Sequence, residues 1–128
     1  MMDVFLVDDN IVSLFASRYC LQREKTVNKV TVCQGVTDAL EHAAANSDSV
    51  RTTSVIFLNI DIEEFLRERS KIAVFAKKRL KGQIKIFVIA DRNTLKIIEN
   101  KNSVVDGLFP RPMMGDTIQK ALESIKEQ

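Results

Sequence analysis

Short apolar runs alternate with longer stretches of helical periodicity along this chain. The runs are VFLV (4–7), VTVC (30–33), VIFL (55–58), KIFVI (85–89) and VVDGLF (104–109). All are rich in Val, Ile or Phe, which predicts five strands. Four are nearly continuous in apolar character, as strands covered on both faces are. The stretch KVTVC alternates more, which predicts a place at a sheet edge.

Helical patterns fill the gaps. Residues 11 to about 23 carry Ile11, Val12, Phe15 and Tyr19, with Asn10 as cap. Residues 36 to 46 carry Val36, Ala39, Leu40 and Ala43. A third helix spans about 63 to 81. Glu63 and Glu64 lie in its first turn, Lys77, Lys78, Arg79 and Lys81 in its last, and Gly82 follows. That charge order complements the helix dipole, so KKRLK reads as a helix end rather than a nucleic-acid patch. In projection Val74 lies opposite the stripe of Phe65, Ile72, Ala76 and Leu80 and is expected to be exposed. A short helix fits 93–101. The last, 115–126, spaces Ile118, Ala121, Leu122 and Ile125 at helical intervals. Strand-helix repeated five times predicts an α/β domain over 1–128. Right-handed crossovers make its sheet parallel and put helices on both faces.

Composition narrows the function classes. The 128 residues are 45% hydrophobic and 28% charged, with net charge +2. This is a globular composition with no excess of positive charge toward nucleic acid or a membrane surface. No run reaches the length of a membrane helix, and the start lacks the pattern of a signal peptide. Cys20 and Cys33 have no metal-ligand spacing and read as reduced core thiols of a cytoplasmic protein. The single histidine, His42, reads as a helix-surface residue, which leaves Ser-His and histidine-metal chemistry without support. The four glycines form no phosphate-cradling loop.

Ligands of open parallel sheets bind at the carboxyl ends of the strands. Six candidates converge there: Asp8-Asp9 after strand 1, Asn59 and Asp61 at strand 3, Asp91 at strand 4, and Arg111 after strand 5. With VDDN at 7–10 and RPM at 111–113, the whole chain resembles the receiver domain of two-component response regulators. The resemblance implies a flavodoxin-like (βα)5 fold, doubly wound, with strand order 2-1-3-4-5. It implies that Asp8 and Asp9 hold magnesium together with the backbone carbonyl of Asp61. It also implies a cis bond at Arg111-Pro112. The phosphoacceptor aspartate of the family falls on Asn59, its strand 4 hydroxyl on Ala90, its strand 5 aromatic on Leu108 and its lysine on Arg111.

These replacements change the chemistry. An amide is not a nucleophile for phosphoryl transfer, Ala90 has no hydroxyl, and an Arg fork is not a Lys point charge. The expected function is therefore a pseudo-receiver, a non-enzymatic interaction module that signals independently of phosphorylation. It needs no cofactor and binds Mg2+ weakly at most. Alternatively, Arg111 pairs with Asp8 or Asp9 in place of the ion. The family commonly signals through a face of helix 4, strand 5 and helix 5, here Lys96, Glu99, Asn100, Gln119, Lys120 and Glu123. The implied partner is a protein: a histidine kinase, an output protein or a second copy. Two alternatives keep phosphoryl chemistry. Asp61 or Asp9 serves as surrogate acceptor, or FLNID is a relic of a haloacid-dehalogenase-like phosphatase.

Overall fold

A computed structural model of the chain describes residues 2–46, 53–78, 84–101 and 105–126, without the side chains of Lys78, Asn100, Lys101 and Lys126. The apolar runs form five strands: β1 (Met2–Asp8), β2 (Val27–Cys33), β3 (Thr53–Asn59), β4 (Ile84–Ala90) and β5 (Gly107–Pro110). The helices are α1 (Ile11–Gln22), α2 (Val36–Asn46), α3 (Ile62–Lys78), α4 (Arg92–Lys101) and α5 (Gly115–Lys126). The strands make one parallel sheet in the order β2-β1-β3-β4-β5, as expected.

Period-two alternation splits each central strand between two cores. Phe5 and Val7, Ile56 and Leu58, and Ile86 and Val88 pack with Ala39, Phe65, Ile72 and Ile98 of α2, α3 and α4. Val4 and Leu6, Val55 and Phe57, and Phe87 and Ile89 pack with Leu21, Ile118 and Leu122 of α1 and α5. Both faces being covered, β1, β3 and β4 read as unbroken apolar runs. β2 lies at the edge, and its interior residues are only partly buried. It begins three residues earlier than the VTVC run. β5 is shorter than VVDGLF: Val105 and Asp106 form a bend, and residue 104 lies outside the described set. Residues 79–83, with the expected basic end of the third helix and its stop at Gly82, also lie outside it.

The helices match the expected spans closely, and Val74 is exposed. α1 departs from its pattern in orientation. Ile11, Val12, Phe15 and Tyr19, the apolar residues that mark it in the sequence, face solvent, each between 60% and 77% exposed. Its inward contacts come from Leu14, Ser17 and Leu21. Ser17 is small, and its hydroxyl donates to the Met113 carbonyl at 3.4 Å, so the helix lies close against the loop before α5. Cys33 is buried and Cys20 half-buried, both as free thiols. Burial, aided by the Asp38 carboxylate, pushes the Cys33 thiol up to about 11. His42 is exposed on α2 and pairs with Asp38 at 3.2 Å.

Where β5 joins the sheet, Gly107 pairs with Phe87 and lies beneath its ring. A Cβ at Gly107 would stand 2.8 Å from Phe87 Cδ1 and 2.9 Å from Phe109 Cε2. Those rings meet edge-to-face at 5.4 Å, so neither turns away freely. Gly107→Ala is expected to destabilise the fold by about 1–3 kcal/mol through overpacking, read as a lower urea midpoint with an unchanged slope.

Candidate functional site at the carboxyl rim of the sheet

Strand register builds the site. Asp8 and Asn59 are direct partners across β1 and β3. Each follows the alternation of Leu6 and Phe57, so both side chains lean to the α1 side of the sheet. Arg111 leaves the end of β5, with its backbone N–H on the Ala90 carbonyl at 3.0 Å. The Arg111-Pro112 bond is cis, as the resemblance implied. Asp8, Asp9, Asn59 and Arg111 thus come together, in a cleft of about 540 Å³ also lined by Val12, Ala16 and Met114.

The buried members form a connected network. Asp8 is 9% exposed and Asn59 4%. Asp8 Oδ1 accepts from the Asn10 backbone N–H at 2.9 Å. Asp8 Oδ2 accepts from the Ser13 hydroxyl at 2.5 Å and from Asn59 Nδ2 at 3.0 Å. Arg111 Nε donates to Asn59 Oδ1 at 2.6 Å. These contacts fix the amide's orientation, because the flipped form would aim N–H at the guanidinium and oxygen at the carboxylate. Arg111 meets Asp8 through Asn59, a relay in place of the direct pairing that stood as the alternative to a bound ion.

Ser13 is the member that sequence reading missed. Its signal was present: Asn10 Oδ1 accepts from the Ser13 N–H at 2.9 Å, so the cap fixes the first turn in which Ser13 stands. Other rim residues cap helices too. Asp61 Oδ1 accepts from Glu64 N–H at 2.8 Å, and Asp91 Oδ1 from Thr94 N–H at 2.7 Å. Glu64, also missed, adds to the acidic rim. Burial raises its carboxyl, Arg67 opposes, and the Asp9 and Asp61 charges push further up.

The donor set does not suit magnesium as it stands. Both Asp8 oxygens are engaged by N–H and O–H groups, and Asn59 offers the carboxylate a donor rather than an oxygen ligand. The Asp61 carbonyl accepts the Phe65 N–H at 3.0 Å and keeps a second lone pair. Among the described residues, no group of three or more His, Cys, Asp or Glu is disposed to hold a metal ion.

The remaining sequence candidates lie outside the network. Ala90 is buried at the end of β4. Leu108 is half-buried and packs against the core on the α2, α3 and α4 side of the sheet. The strand's aromatic, Phe109, comes one residue later and faces the opposite core, against Phe87. Lys96, Glu99, Gln119, Lys120 and Glu123 are all exposed, and the Asn100 side chain lies outside the described set.

Solved structures place this fold among known proteins. The chain is similar to a response regulator receiver protein from Dyadobacter fermentans DSM 18053, with TM-score 0.70, 20% identity and 98% of each chain covered. It is also similar to a response regulator receiver modulated diguanylate cyclase from Pelobacter carbinolicus, with TM-score 0.59 and 13% identity over 99% of this chain and 93% of that one. The chain has the flavodoxin-like fold of receiver domains. No protein-family model and no curated protein matches the sequence.

Two outcomes follow from this geometry. Asn59→Asp removes the donor to Asp8 Oδ2 and sets a second carboxylate beside it. In EDTA the variant is expected to lose about 1–3 kcal/mol, more at pH 8 than at pH 5, because like charges raise the pair's pKa. Urea midpoints at the two pH values check this. The Asp91 carboxyl is held below its ordinary range, first by the Thr94 backbone N–H and then by the Thr94 side chain, with the Arg111 charge adding to this. Its contribution to α4 is therefore full above the ordinary Asp range and is lost as pH falls through the lowered value. An NMR titration of the Thr94 amide is expected to show that loss, with a midpoint below that of an unperturbed Asp.

Proposed function

We propose that this domain is a receiver-like module of two-component-type signalling that binds a protein partner without being phosphorylated. The observation that carries it is Asn59, held between Asp8 and Arg111 by hydrogen bonds at 3.0 and 2.6 Å. In this reading the amide stands at the acceptor position of the receiver family, where it supplies no nucleophilic oxygen. Ala90 offers an incoming phosphoryl oxygen no hydroxyl. In this reading the domain binds rather than catalyses and requires no cofactor. Magnesium must break the Ser13–Asp8–Asn59 contacts to enter, so it binds weakly.

The partner surface in this reading is the α4–β5–α5 face. It presents Lys96, Glu99, Gln119, Lys120 and Glu123 to solvent, with Ile97 partly exposed among them. Mixed charge around a small apolar point suits a polar, reversible protein interface. The setting is cytoplasmic, where the free thiols stay reduced. Among the described residues, no helix is long and apolar enough to cross a membrane.

Incubation with acetyl phosphate and magnesium, followed by intact-mass measurement, tests the reading. The wild-type chain is expected to gain no phosphoryl group. A hydroxylamine-sensitive adduct mapped to Asp61 or Asp9 would establish a surrogate acceptor instead.

A further inference from the structure

α1 is apolar on two faces. Leu14, Ser17 and Leu21 turn inward. Ile11, Val12, Phe15 and Tyr19 turn outward, and no described element of the chain covers them. At about 100° per residue these four occupy one arc of about 100°. A stripe of that width on a helix is the pattern of a packing face rather than of scattered surface residues.

The order of groups along the stripe indicates what covers it. Ile11, Phe15 and Tyr19 are spaced i, i+4, i+8, so the sequence of large apolar groups is symmetric about Phe15. The ends carry opposite charges. Asp9 precedes the helix and is exposed, sharing the cleft flank with Val12 and Ala16. Arg23 follows the helix and is also exposed. Arg23 Nη1 donates to the Tyr19 hydroxyl at 2.6 Å, and its guanidinium stands 5.3 Å from that ring's centroid. Tyr19 thus holds the cation at the end of the stripe.

We infer that this face pairs with the same face of a second copy, α1 against α1 in antiparallel orientation, about a two-fold axis at Phe15. In an isologous contact, residue i meets j and j meets i. Phe15 then meets Phe15 of the other copy, and Ile11 meets Tyr19. At 1.5 Å per residue, Asp9 lies about 9 Å before Phe15 and Arg23 about 12 Å after it. The two-fold places them within about 3 Å of each other along the helix direction, and both lie on the Val12 flank. Each Arg23 guanidinium reaches the other copy's Asp9, giving two symmetric ion pairs around the apolar stripe. A parallel pairing would leave each Asp9 about 21 Å from the other copy's Arg23 along the helix direction. The contact is small, so the dimer forms at the weak end of specific association. It leaves the α4–β5–α5 face open, so partner binding and self-pairing are lost independently.

Sedimentation equilibrium over a wide concentration range tests this. Wild type is expected to show a reversible monomer–dimer equilibrium. Phe15→Lys is expected to raise the dimer Kd by about a hundredfold, the effect of losing a central aromatic anchor. Its far-UV circular dichroism and urea midpoint should stay unchanged, because Phe15 is exposed in the monomer. Arg23→Glu and Asp9→Lys are each expected to weaken the dimer, and the double variant to restore it. A wild-type chain that stays monomeric throughout would overturn the inference. So would a dimer indifferent to Phe15→Lys, or charge variants whose combination fails to restore pairing.

Discussion

A carboxylate at the end of a central strand cannot be left both buried and unpaired, and the rim of this sheet is arranged around that constraint. Asp8 is nearly enclosed. Burying a charge without partners is costly, and its donors must come from whatever elements surround it. Here they come from three places: the backbone at Asn10, the first turn of α1 through Ser13, and β3 through Asn59. Arg111 supplies the positive charge at one remove, polarising the amide that donates to Asp8. The charge of the guanidinium and the charge of the carboxylate are thus joined by a neutral residue that donates on one side and accepts on the other. An aspartate at position 59 could only accept.

The same arrangement separates the rim from the α4 side of the domain. Ala90, at the end of β4, has only a methyl group to present. Leu108 is already packed against the core on the α2, α3 and α4 side, and Phe109 is committed to the opposite core by its edge-to-face contact with Phe87. A ligand shifts a conformational equilibrium only by interacting differently with its two states. Ala90 and Leu108 are apolar and packed, so neither has a polar contact to exchange when the rim changes. The proposed independence from phosphorylation therefore rests on Ala90 and Leu108 as well as on Asn59.

The sheet was legible in the sequence because two-sided burial leaves a direct trace. β1, β3 and β4 are apolar without a break at 4–7, 55–58 and 86–90, whereas β2, at the edge, mixes polar and apolar residues. The rim positions were legible as well, since a strand's last residue can be counted from its apolar run. The bonds among them were not. Whether Asn59 turns its oxygen or its nitrogen to Asp8 depends on Arg111, 52 residues further on. Ser13 enters only because the Asn10 cap sets the rotation of α1, which is a three-dimensional fact with a weak sequence signal.

α1 marks the limit of reading periodicity. A helical pattern of apolar residues shows that a face exists, but it does not say which partner that face meets. The larger side chains, Ile11, Phe15 and Tyr19, suggest a core stripe by size alone. Size works against them here. The loop after β5 returns close to α1, and the helix face toward it must be narrow, which Ser17 and the half-turned Leu14 satisfy and Phe15 would not. Close approach to the sheet thus selects the small face for the inside and leaves the bulky one outside. Exposed in this way, Phe15 and Tyr19 bury little apolar surface within the chain itself. The interaction that would favour retaining them is one with another helix.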